Sequence, residues 1–184
     1  AAIWGVDISG GDLVVVTERL GVFSPDAQLM AFPSSGGHTH IQRTDGEEVW
    51  VVPSGGRAIT FSPDGERIAW QEFTSWESSH HRRTVELWLA NVDGSDPRKV
   101  ITVMGGAMVG WFPEGNRWLV LSSDYSRGDY LLTVLDLDSA DRLEIARAPR
   151  LGGASISPRG DWVVFQITAS GDKKRDGLWL VRAD

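Results

Sequence analysis

Four copies of one proline-containing turn, an apolar strand-length segment after each, and no window with helical periodicity together predict an all-β fold. The turns recur at the spacing of a four-stranded blade, so the predicted class is a β-propeller of antiparallel four-stranded blades. About four blades are legible. The expected organisation is a single propeller domain or propeller segment over residues 1–184, forming part of a larger ring.

The turn is the first element to justify. Phe23-Ser24-Pro25-Asp26-Ala27 recurs as Phe61-Ser62-Pro63-Asp64-Gly65, as Phe112-Pro113-Glu114-Gly115 and as Ile156-Ser157-Pro158-Arg159-Gly160. From proline to proline the steps are 38, 50 and 45 residues. Proline sets φ at the first corner, aspartate bonds its own backbone and glycine takes a backbone conformation other residues avoid. Each marker is therefore expected to turn the first strand of a unit into its second. The second strands are Leu29 to Phe32, Arg67 to Trp70, Trp118 to Leu121 and Trp162 to Phe165, all rich in aromatic and β-branched residues.

Third strands read as Val85 to Val92 before Asp93-Gly94 and Tyr130 to Leu137 before Asp138, with Leu178 to Val181 at the end. Ile3 to Ile8, before Gly10-Gly11, has the same form. Fourth strands are expected at Leu13 to Thr17, Val49 to Val52, Arg98 to Val103 and Arg142 to Ala146. The units are then a partial blade at 1–20, full blades at 21–56, 57–104 and 105–150, and a partial blade at 151–184. An irregular β-sandwich is the competing class, but sandwiches do not repeat one turn at blade spacing.

Phe-Ser-Pro-Asp-Gly, an apolar strand, then Leu-Trp-Leu-x-x-x-Asp-Gly-x-x-x-Arg resembles the repeat of TolB-type (PD40, WD40-like) propellers. The resemblance covers nearly the whole chain and is strongest over Phe61 to Val100. It weakens where Ala27 replaces glycine and Arg159 replaces aspartate. It implies a ring of six or so blades and periplasmic or extracellular placement. Three functional settings share the repeat: TolB proteins, which bind partner proteins, the propellers of prolyl-oligopeptidase-like enzymes, and metal-dependent oligogalacturonate lyases.

The strand count, seventeen, does not close into whole blades. An open propeller leaves unpaired edges that invite another chain. The expected solutions are a stretch of a larger propeller or completion by self-association. A closed four-bladed ring sealed by Leu13 to Thr17 is the alternative. The chain opens Ala1-Ala2-Ile3-Trp4 without an initiator methionine, which reads as processed or excised from something longer.

Composition narrows the function classes. The net charge is −7, so a phosphate backbone is repelled and nucleic acid is not the expected partner. No apolar run approaches the roughly 20 residues of a membrane-spanning helix. The absence of cysteine excludes disulfides and thiolate catalysis. There is no Gly-x-Ser-x-Gly elbow and no P-loop, so neither a serine nucleophile nor a phosphate cradle is present in this sequence. The sequence therefore reads as a non-enzymatic protein-binding or scaffolding module without a cofactor.

The binding face follows from the connections. Pro-Asp-Gly and Asp-Gly turns share one face of the ring and are short. Links between second and third strands share the other face and vary, and function concentrates in variable connections on a rigid scaffold. The longest is expected over Phe73 to Arg83, beside loops at Ser122 to Gly128 and Ser170 to Asp176. The candidate contacts are Trp76, His80, His81, Arg82, Arg83, Tyr125 and Arg127, residue types that dominate binding hot spots or carry positive charge in an acidic chain.

Two histidines offer a metal alternative. His38 and His40 alternate along a predicted strand, which puts both rings on one face. With His80 or His81 from the next blade they would suit a lyase-like enzyme acting on acidic saccharides. The plainer reading is solvated histidines and no metal. Asp136-x-Asp138-x-x-Asp141 lacks the glycine and distal glutamate of a calcium loop and reads as a strand-end turn. Trp4, Trp88 and Trp179 share one repeat position, as do Trp70 and Phe165, and are expected to pack between blades. Trp76 stands out of register and is the one tryptophan expected to serve binding.

Overall fold

The computed structural model describes residues 3–6, 9–12, 14–17, 20–53, 56–77, 82–168 and 170–184. Among them are seventeen strands and no helix. Strands β1 (Ile3–Gly5) and β2 (Val14–Thr17) pair antiparallel by themselves. The expected strand ends at residues 7, 8 and 13 lie outside the described residues.

Three four-stranded meanders follow. The first holds β3 (Val22–Phe23), β4 (Leu29–Pro33), β5 (Thr39–Arg43) and β6 (Glu48–Val52) in sequence order. The second holds β7 (Arg57–Phe61), β8 (Arg67–Glu77), β9 (Arg82–Asn91) and β10 (Arg98–Met104). The third holds β11 (Ala107–Trp111), β12 (Arg117–Asp124), β13 (Asp129–Asp136) and β14 (Arg142–Ala148). A three-stranded sheet of β15 (Leu151–Ile156), β16 (Trp162–Ile167) and β17 (Gly177–Arg182) ends the chain. Every pairing is between sequence neighbours. This is a β-propeller arrangement.

The repeated turn does what its residues dictate. In the second sheet the Ser62 amide donates to Arg67 O and the Gly65 amide to Ser62 O, each at 2.9 Å. The Ser62 hydroxyl accepts from the Arg67 amide and donates to Asp64, closing the loop from inside. The same backbone pair forms at Ser24, Phe112 and Ser157, so Phe112 occupies the serine position and Trp111 the position of Phe61. Gly65, Gly115 and Gly160 have φ between 76° and 81°, and Ala27 is forced to 57° at the equivalent corner.

Alternation along each strand sends one set of side chains to each neighbouring sheet. Ile41, Val52, Ile68 and Trp70 join the first sheet to the second. Leu87, Leu89, Trp118 and Val120 join the second to the third. Leu119, Leu132, Val163 and Phe165 join the third to the last. Arginines bridge the same joints: Arg67 donates to Gly115 O at 2.5 Å, and Arg117 to Ala183 O at 2.9 Å.

The in-register tryptophans divide. Trp88 stacks on Trp70 with ring centres 5.9 Å apart, and Trp50 meets Trp70 edge-on, so this group packs as expected. Trp179 departs from the expectation and is partly exposed, its Nε1 donating to Arg175 O at 2.9 Å. The physical reason is that β17 is the outer strand of a three-stranded sheet, with no fourth strand beside it among the described residues.

Candidate binding face

A meander places alternate connections on opposite faces, so the links between second and third strands gather opposite the Pro-Asp-Gly turns. The expectation of a long loop over Phe73 to Arg83 is corrected here. Residues 73–77 continue β8, and Arg82 and Arg83 open β9. Trp76 pairs across with Arg83, and Glu77 with Arg82. Phe73, Thr74, Trp76, Arg82, Arg83 and Thr84 carry aromatic or β-branched groups or long stems, which suit a strand pair. That composition was the overlooked signal. Likewise Ser122 to Asp124 end β12, and only residues 125–128 make the turn to β13. At 11 and 10 residues, β8 and β9 outreach the 8-residue strands β12 and β13.

Arg83 and Tyr125 are brought together through Gly105. The Gly105 amide donates to Arg83 O at 2.6 Å, tying the hairpin to the crossover into the third sheet. Gly105 has φ +54°, and a Cβ there would run into the Tyr125 hydroxyl and meet Ser123 Oγ at 2.8 Å. The glycine is therefore a seat for the tyrosine. Below it opens a cleft of about 550 Å³ between the second and third sheets. Val103, Val120 and Leu135 form its floor, with Ser122, Asp124 and Tyr125 at the rim.

Phe73 was not singled out from the sequence, and it lies on the extended part of β8 that forms this hairpin. It is 43% exposed. The Arg83 guanidinium lies over its ring at 4.4 Å and that of Arg57 at 5.7 Å. Arg57 begins β7, the inner strand, and could not be placed beside Phe73 from sequence spacing alone.

Arg127 lies 4.0 Å from Asp124, an outer partner rather than a close one. Asp124 is held chiefly by Ser126, whose hydroxyl donates to it at 2.5 Å, and by Arg147 at 2.9 Å. Those hydrogen bonds push its pKa down to about 2. Arg147 also donates to Glu144 at 2.8 and 3.0 Å, lowering that carboxyl as well.

The histidine alternative is not assembled among the described residues. His38 is exposed and precedes β5, while His40 lies on it, stacked on Phe32 at 5.7 Å and bonded through Nδ1 to Glu48 at 2.5 Å. Among the described residues no three His, Asp or Glu side chains converge as metal ligands do. His80 and His81 lie outside the described residues. Asp136 accepts from the amides of Asp138 and Ser139 at 2.9 and 2.8 Å, the strand-end turn expected of it.

The architecture has close counterparts among solved structures. A candidate TolB from Agrobacterium tumefaciens superposes with a TM-score of 0.62 at 21% identity, over 93% of this chain and 62% of that one. TolB from Acinetobacter baumannii gives 0.65 at 14% identity, over 98% of this chain and 48% of that one. The fold is TolB-like. An oligogalacturonate lyase from Vibrio parahaemolyticus shares the TolB-like architecture more loosely, with a TM-score of 0.53 at 11% identity over 98% of this chain and 68% of that one. The chain thus spans less than two thirds of either TolB structure. No protein-family model matches the sequence, and no curated protein does. No helix among the described residues is long and apolar enough to cross a membrane.

Proposed function

We propose that this chain is a non-enzymatic protein-binding module that presents the β8–β9 hairpin and the adjoining β12–β13 turn to an acidic partner protein. The observation that carries the reading is Phe73, exposed and flanked by the guanidinium groups of Arg57 and Arg83, on a chain with a net charge of −7. An exposed aromatic with planar donors on either side matches a surface that carries an apolar side chain beside a carboxylate. Trp76 and Arg82 belong to the same hairpin by register, and Tyr125 lines the cleft beside it in the β12–β13 turn that also carries Arg127. His80 and His81 extend the proposed contact set by sequence position alone.

The TolB-like architecture supports a binding role and placement outside the cytoplasm, periplasmic or extracellular. The likeness to a lyase is one of fold, and no observation at His38 or His40 adds a reaction to it.

The test is capture by the immobilised chain against two variants, Phe73→Ala and Arg57→Ala/Arg83→Ala. The reading expects a partner held by the parent chain, released by salt as exposed charge contacts are, and lost from both variants. Equal capture by all three chains would remove this face from the function.

A further inference from the structure

A second cavity opens between the first and second sheets, beside the link from β4 to β5 and so on the side of the β8–β9 hairpin. Its volume is about 500 Å³, within the range of small-ligand sites. Ala31, Thr39 and Ile59 form a buried floor, and Val22, Pro33 and Arg57 form an exposed rim. Both sheets that bound it are whole four-stranded meanders.

The floor suits an apolar group. Thr39 donates its hydroxyl to Gly56 O at 2.8 Å, so the one polar side chain at depth is already satisfied. The rim carries a single charge. Among the described residues that line the cavity only Arg57 is ionised, and no acidic side chain among them pairs with it. Its guanidinium lies against the exposed Phe73 ring at 5.7 Å. A bulge separates floor from rim. Strands β7 and β8 are in register at Arg57 and Gln71 and again at Thr60 and Ala69, so Ala58 and Ile59 together face Trp70. Ala58 takes φ 50° there, where Gly153 at the equivalent point of the last sheet takes 59°. Bulges re-aim side chains beside binding sites, and this one sends Ile59 to the floor while Arg57 stays at the mouth.

We propose, resting on the reading of this face as a protein-binding surface, that the cavity takes the C-terminal residue of the partner chain. That residue is apolar, its side chain fills the floor, and its free carboxylate pairs with Arg57. One apolar cavity beside one unpaired arginine is the complement of such a chain end. In a C-terminal residue the apolar side chain and the carboxylate share one α-carbon, so a single residue meets both features. An internal aspartate or glutamate carries its carboxylate on its own side chain. It needs a second residue to fill the floor, and its chain must leave the cavity in two directions. The carboxylate and guanidinium match as a planar, bidentate pair. Phe73 and Arg83 are then left for the partner residues that precede the chain end.

Amide chemical shifts of the isotope-labelled chain test this, in titrations with millimolar acetyl-Ala-Leu, its C-terminal amide and acetyl-Leu-Glu-amide. The free acid should give saturable shifts at Val22, Gly56 and Ile59. Either amide should bind about tenfold more weakly or less, as loss of a charge-assisted bond implies. In Arg57→Gln the free acid should lose that advantage over its amide. Val22 is 44% exposed at the mouth, so Val22→Trp should cover the cavity and remove the shifts while circular dichroism shows the sheets retained. Equal binding of acid and amides by the parent chain, or no saturable shift from any of the three, overturns the proposal. Partner capture separates this failure from failure of the whole face. Capture that survives Val22→Trp but not Phe73→Ala removes the cavity and leaves the face, whereas capture that survives Phe73→Ala removes the face itself. Loss from both variants is the expected result.

Discussion

Replacing Gly105 by alanine separates two constraints that meet under Tyr125. The first is backbone. At φ +54° an L-residue sits in the left-handed region, at a cost of about 1–2 kcal/mol relative to an ordinary conformation. Part of that is returned, about 0.4–1 kcal/mol, because alanine also restricts the unfolded chain. The second is contact: the new methyl lands on the Tyr125 hydroxyl and on Ser123 Oγ, and the phenol is the far end of a stiff ring that must swing out of the cleft rim. Displacing it should add about 1 kcal/mol, within the usual range for a single substitution. The sum is about 2 kcal/mol, which lowers Tm by about 4–8 °C in a domain of this size. Thermal and urea unfolding followed by circular dichroism would measure it. In a Tyr125→Ala/Ser123→Ala background both contacts disappear and only the backbone part, about 1 kcal/mol, should remain. A Gly105→Ala chain within about 0.5 kcal/mol of the parent, or the same penalty in both backgrounds, would refute the account of this glycine as the tyrosine's seat.

Three further outcomes follow from the same physics. Ala27→Gly should stabilise the protein by about 1 kcal/mol, because Ala27 holds φ 57° where its counterparts are glycine; urea midpoints compared at equal m would show it. Arg67→Ala should cost about 1.5–3 kcal/mol, since the guanidinium bonds Gly115 O and lies 5.7 Å from the Trp111 ring across a joint; Arg67→Lys should recover part of this and not all. Asp124 has a depressed pKa, so its contribution to stability is fully present above its ordinary value of 3.8 and is lost as pH falls toward about 2. A carboxyl carbon titration by NMR should put its midpoint near 2, and a midpoint at or above 3.8 would contradict the Ser126 and Arg147 bonds.

The fold class was legible because one turn chemistry recurs. Proline, an aspartate or glutamate and a residue at positive φ have few conformations available, so Ser62 to Gly65 announce a reversal whatever surrounds them. The β8–β9 hairpin was less legible. Serines, histidines and arginines between two apolar strands resemble a solvated loop, and cross-strand pairing of Trp76 with Arg83 becomes visible only once register is known. The candidate site was legible in part for the same reason. Tyr125 and Arg83 were found as residue types, but the contact between them runs through Gly105. Phe73 gains its second arginine from Arg57, sixteen residues earlier and on a different strand. The expected packing role of Trp179 failed because repeat position predicts burial only while another strand or sheet lies beyond it.

The central claim is that partners are engaged by the hairpin face and not by the Pro-Asp-Gly face. A photo-crosslinking residue placed singly at Phe73, at Tyr125, at Asp26 and at Glu114 addresses it directly. The first two positions lie on the hairpin face, and the last two lie on the repeated turns. In a whole-cell extract, the account predicts one shared adduct from Phe73 and Tyr125 and none from Asp26 or Glu114. The same adduct from the turn positions, with silence at Phe73 and Tyr125, would contradict it.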